Sequence, residues 1–249
     1  MQDEKALPAP IHRVLLSFAL PVAGAIVTAV LLVEGVPVTP AGKAVVLGAL
    51  GIVGWLMGVR WYGLGGTGIR GGRPLYASIG FAALGWVVFF AARLYWVGSN
   101  EDVVVSRNFG QMALYLTLFE AFSVQVWAFG LFFRSVADWR GPLAAALSSG
   151  LLFGLVASQL FEEAFITGPS SLLYFMAWGV FYGLIRLRTG SILGAVIVQA
   201  MQSLTAWHIL LPEPEPAIAE LQNLYLAAVT FYAIFIWRLW PTEEGDYRV

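Results

Sequence analysis

Long apolar runs, broken at short intervals by charged or Gly- and Pro-rich segments, set the organisation of this chain. Eight of them, at 14–34, 44–62, 75–97, 112–134, 142–160, 171–187, 190–211 and 221–240, are near the roughly 20 residues a helix needs to cross a bilayer. Their apolar residues do not alternate with polar ones as in a half-exposed strand, so each run reads as a membrane helix. The run 44–62 has the least distinct end, because Arg60 and a Gly-rich stretch follow it. The first run contains Pro21 and no small-residue cleavage site, and reads as a retained helix rather than a signal peptide. The connections at about 62–74, 98–111 and 212–220 are short. The chain is therefore expected to form a single integral-membrane domain over 1–249, all-α, as a polytopic bundle of about eight transmembrane helices.

Composition agrees with that reading and narrows the function. Hydrophobic residues make up 59% and charged residues 12%, where a soluble domain carries about 25% charge. The net charge of -1 argues against a basic nucleic-acid binder. With no cysteine there is no disulfide framework or thiol nucleophile, and with only His12 and His208 a multi-histidine metal centre is nearly excluded. Basic residues gather on one side: Lys5, Arg13, Arg60, Arg70, Arg73, Arg134, Arg140, Arg186, Arg188, Arg238 and Arg248 all fall at the ends or loops that eight spans would place together. Lys43, Arg93 and Arg107 fall opposite, among Glu34, Glu101, Asp102, Glu162, Glu163, Glu213, Glu215 and Glu220. The positive-inside rule then puts both termini in the cytoplasm, with the chain in the cell's inner membrane. Trp61, Trp96, Trp139, Trp207, Trp237 and Trp240 lie near span ends, as an aromatic belt requires. Small-residue runs at Ala23-Gly24-Ala25 and Ala144–Gly150 would serve either packing within the bundle or contact with another subunit.

Several phrases, in order, carry a family likeness between about 124 and 204. They are Gly130-Leu-Phe-Phe-Arg134 followed by Arg140-Gly141-Pro142, the stretch Ala146–Leu155 with Phe153 and Gly154, the stretch Phe175–Leu184, and the turn Leu187-Arg188-Thr189-Gly190-Ser191-Ile192. This segment resembles the CPBP family of CAAX-processing and bacteriocin-processing intramembrane proteases, and the resemblance implies a CPBP-like core over about 112–211. It also implies that a Glu-Glu pair and two histidines carry the family's chemistry, Glu and His activating a water while the second His and an Asn steady the oxyanion. In this chain the Glu-Glu positions hold Val124 and Gln125, and Phe129 stands where the motif has Arg. Phe153 is kept, but Ala157 stands in place of the first His. Gln199 and Ser203 stand where the last motif has His and Asn or Asp. None of these replacements titrates, so general-base catalysis at that place is expected to be lost.

Other polar residues fall at membrane depth. Glu120 lies in mid-span, one turn before Val124, and a buried carboxylate in a bilayer calls for a partner such as Arg93. Gln125, Gln159, Gln199 and Gln202 are expected mainly to cross-link helices. His208 is a weak candidate ligand for a cofactor. Glu162-Glu163 read as an acidic loop, and Gly63-Leu-Gly65-Gly66-Thr-Gly68, which matches a dinucleotide fingerprint on paper, reads as a flexible loop after a membrane span.

Together these features lead to the expectation of a catalytically inactive CPBP-like protein. It would act as an accessory, scaffold or assembly subunit of a larger hetero-oligomeric membrane complex, with membrane lipids and other integral-membrane subunits as partners and no obligate cofactor. Two alternatives stay open. One is a divergent intramembrane hydrolase using Glu120, Glu162 or Glu163 with His208. The other is a subunit that houses a lipid, quinone or pigment in the old protease cleft.

Overall fold

A computed structural model describes residues 7–32, 40–98, 109–161, 168–209 and 216–248. Each of the eight apolar runs is helical: α1 (Pro10–Leu32), α2 (Pro40–Gly66), α3 (Arg73–Trp96), α4 (Phe109–Arg140), α5 (Pro142–Leu160), α6 (Pro169–Thr189), α7 (Leu193–Ser203) and α8 (Ile218–Leu239). Seven are long and apolar enough to cross a membrane. α7 is shorter: its regular part starts at Leu193 because Gly190 and Ser191 form the turn after α6, and it passes into a π-helical turn over Leu204–Ile209. The fold expected from the apolar pattern, a polytopic helical bundle, is the fold observed. Among the described residues no strand occurs.

Enclosure is uneven. In the most apolar stretch of α4, 72% of residues are buried, and in α6 67%, against 17% in α1. The centre of the bundle is thus α4 with α6, and α1 flanks it, leaving Val30, Leu31 and Leu32 more than two-thirds exposed (75%, 75% and 71%). An outward apolar face of that kind suits lipid as solvent. Trp139, Trp237 and Trp240 are exposed near helix ends, as expected of a belt. Trp207 departs from that expectation. It is buried, with its ring 6.4 Å from Phe89 and the Arg93 guanidinium 5.7 Å above it.

The closest approach in the bundle joins α5 to α6. A Cβ built on Gly179 would lie 2.0 Å from the Gly150 carbonyl oxygen, and one on Gly183 would lie 2.2 Å from that of Ala146. Gly154 faces the backbone of Met176 in the same way. Ala146, Gly150 and Gly154 recur every fourth residue, as do Gly179 and Gly183, so the two helices meet backbone to backbone along small-residue stripes. The small residues near Ala144–Gly150 therefore serve packing inside the bundle.

Helices α2, α4, α6 and α8 finish at one end of the bundle, where α1, α3, α5 and α7 begin. This basic end is stitched together. Arg13 of α1 pairs with Asp138 at 2.5 Å, and Asp138 also pairs with Arg134 at 3.3 Å. Tyr62 of α2 accepts from Arg13 at 3.2 Å and shares a 3.0 Å hydrogen bond with Ser135. The glycine-rich segment at 63–68, where α2 kinks at Gly63 before its last residues and turn, is held here rather than loose: Ile192 N donates to Gly68 O at 2.9 Å, and Arg70 Nε to Gly65 O at 2.7 Å.

Candidate functional site

The residues that the resemblance sets at motif positions lie on α4, α5 and α7. In α4 the backbone is π-helical over Leu116–Ser123 and again over Val126–Phe132. π-Turns hydrogen-bond one residue further along than α-turns, which re-aims side chains, and they concentrate at functional places. Between and within these stretches lie Glu120, Val124, Gln125 and Phe129, all at most 1% exposed.

Gln125 and Gln199 are brought together. Gln125 Nε2 donates to Gln199 Oε1 at 2.9 Å, and Gln199 Nε2 donates onward to the backbone carbonyl of Glu120 at 3.3 Å. Both amides are 1% exposed. The chain of bonds thus runs from α4 to α7 and back to α4, closing on a carbonyl in the π-helical stretch. Val124, Phe129, Phe153 and Ala157, all fully buried, belong to one continuous apolar cluster. The Phe129 and Phe153 rings are 5.6 Å apart, and Phe153 meets Trp178 and Tyr182 edge-on at 5.5 and 5.7 Å. Ser203 is buried on α7 one turn beyond Gln199.

Gln202 also cross-links helices, as expected, but elsewhere. Its Nε2 donates to the Tyr174 hydroxyl of α6 at 3.1 Å and to the Tyr232 hydroxyl of α8 at 3.5 Å. Gln159 reaches only as far as its neighbour Ser158, at 3.4 Å, so this amide links no helices in its described bond. Arg93 is fully buried. Its Nε donates to Ala206 O at 2.9 Å and its Nη1 to Gly98 O, which ties α3 to the turn that follows α7. Glu162, Glu163 and the side chain of His208 lie outside the described residues. Among the described residues no group of three His, Cys, Asp or Glu is placed to hold a metal.

One buried charge was not singled out from the sequence. Arg186, read there as an ordinary basic loop residue, is 1% exposed. Its Nε donates to Phe129 O at 3.2 Å, its Nη2 to Gly66 O at 3.0 Å and its Nη1 to Arg248 O at 3.4 Å. The signal was its register: Arg186 follows Tyr182 by four positions and Gly179 by seven, on the packed face of α6. A Cβ on Gly68 would lie 2.6 Å from Arg186 Nε, so that glycine makes room for it.

With the bundle and its central cluster defined, the class is a polytopic helical membrane protein built around α4–α7. Residues 106–205 match the family model described as Type II CAAX prenyl endopeptidase Rce1-like, a branch of the CPBP proteases. The likeness read from the motif phrases agrees with this match, which covers less than half of the chain. No curated protein matches the chain.

Proposed function

We propose that this chain is a CPBP-like protein of the cell's inner membrane whose cleft does not cut peptides, and that it serves as an accessory, scaffold or assembly subunit of a larger integral-membrane complex. Both termini face the cytoplasm in this reading, which follows the distribution of basic residues. The observation that carries the proposal is the buried Gln125–Gln199 hydrogen bond. Two neutral amides satisfy each other at positions where the family resemblance calls for titrating groups. An amide neither takes up nor releases a proton near neutral pH, so it cannot activate a water. Val124 and Ala157, at two further replaced positions, belong to the apolar core. A fold with such a centre has its helical surfaces left to offer to partners.

The family is one of peptidases, so the rival is a divergent enzyme built on Glu120, which is buried one turn from Val124. The test is paired. Purified chain is assayed against prenylated CAAX peptides, with Glu120→Gln as control, and the same chain is isolated from native membranes in mild detergent. The proposal expects no turnover above a no-protein control and companion subunits at fixed ratio. Peptide cleavage that Glu120→Gln abolishes, or isolation as a lone monomer, would overturn it.

A further inference from the structure

The segment that follows α8 turns back across the basic end of the bundle. After Trp240 it makes a short turn at Glu244–Asp246, closed by Asp246 N donating to Glu243 O at 3.1 Å and by Thr242 N donating to Asp246 Oδ2 at 3.1 Å. Asp246 then pairs with Arg188 of α6, and Tyr247 packs against the edge of the main apolar cluster. Arg248 N donates to Leu187 O at 2.8 Å. Carbonyls in the last turn of a helix lack intrahelical partners, so this bond caps α6 from outside. The path is close: a Cβ on Gly190 would lie 2.8 Å from Arg248 O.

The seat reaches deeper than the surface, because Arg248 O is one of three carbonyls around the buried Arg186. No carboxylate pairs with that guanidinium among the described residues; carbonyl dipoles offset its burial. A buried charge is costly unless hydrogen-bonded, so each acceptor matters to the whole cluster. The other two acceptors are Gly66, at the end of α2, and Phe129, in the π-helical stretch of α4 that continues from Gln125. Lifting the segment would strip one acceptor from Arg186 and let water reach the rest.

We propose that residues 242–248 act as a latch on the basic end of the bundle, whose seating on α6 controls, through Arg186, how firmly the 63–70 loop and the π-helical part of α4 are held. This goes beyond the reading of the cleft and stands whether or not the protein is catalytic.

The test uses full-length protein in lipid nanodiscs and amide hydrogen exchange read by peptide. Asp246→Arg places a cation against Arg188 and should unseat the segment. The expected result is at least about tenfold faster exchange in 63–70 and 187–191 as well as in 241–248. The double variant Arg188→Glu with Asp246→Arg, which rebuilds the pair in reverse, should return exchange to near wild type. If Asp246→Arg does not fold, Arg188→Glu alone serves, because it sets two carboxylates against each other. It should likewise speed exchange in 63–70. Faster exchange confined to 241–248 in either variant would overturn the latch.

Discussion

Asp246 is partly exposed at the basic end, and its carboxyl is held below the usual carboxylate range, first by the hydrogen bond from Arg188 and then by the amide of Thr242. A carboxyl whose folded pKa is depressed stabilises the fold above its unfolded pKa, and that contribution fades as pH falls through the folded value. Protection of residues 241–248 should therefore stay level from about pH 8 down to about pH 5 and decline below about pH 4, near the ordinary Asp value. Exchange corrected for its intrinsic pH dependence measures this, and Asp246→Asn should flatten the profile. The buried amides make a second prediction at this scale. Gln199→Leu leaves Gln125 Nε2 without its acceptor in an apolar surrounding, and such an orphaned group costs about 1–3 kcal/mol. Replacing both by Leu should cost less than the two single changes summed, as unfolding in mixed micelles would register. If each single change proves neutral, the Gln125–Gln199 bond is not a structural tie.

Helices tell how much could be read beforehand. The eight runs were legible because a span needs little more than length and apolarity. The π-helical stretches of α4 were not: with apolar residues on every side of Leu116–Phe132, no periodic stripe distinguishes one turn length from another. α7 starts later than its apolar run, because the turn at Gly190–Ser191 takes the first residues. Of the candidate centre, Gln125 and Gln199 were singled out by motif spacing, while their direct bond depends on the relative rotation of α4 and α7, which sequence does not encode locally. Arg186 was passed over because a cation near a span end usually faces water. The α5–α6 contact offers its own test. A methyl at Gly179 would collide with a rigid carbonyl rather than a movable side chain, so Gly179→Ala should destabilise by about 1–3 kcal/mol or more, and Gly179→Val should prevent folding. A Gly→Ala change at Gly71, where nothing lies within 4 Å of the built Cβ, is the control and should be near neutral.

At the scale of the whole molecule, the two ends of the bundle are bound differently. The basic end joins α1, α2, α4, α6 and the segment after α8 through arginines, with Asp138 and Asp246 as their carboxylate partners. Toward the other end, Arg93 and Lys43 reach backbone carbonyls and Gln202 reaches two tyrosine hydroxyls, so the ties described there are hydrogen bonds rather than ion pairs. Raised salt should loosen the basic end more than the opposite one, because exposed ion pairs are screened while buried amide and phenol bonds are not. Limited proteolysis at 0.15 and about 1 M salt would report it as earlier cutting near 241–248.

The glycine seam between α5 and α6 has a bearing on company in the bilayer. Stripes of that kind are a common means by which one membrane protein grips another, and here both are spent on each other. A neighbouring subunit of the kind proposed would meet outward apolar flanks instead, such as those of α1, α3 and α8. Such contact resists few competitors, so lasting association would need a second hold, at the arginine-rich rim or in the connecting loops.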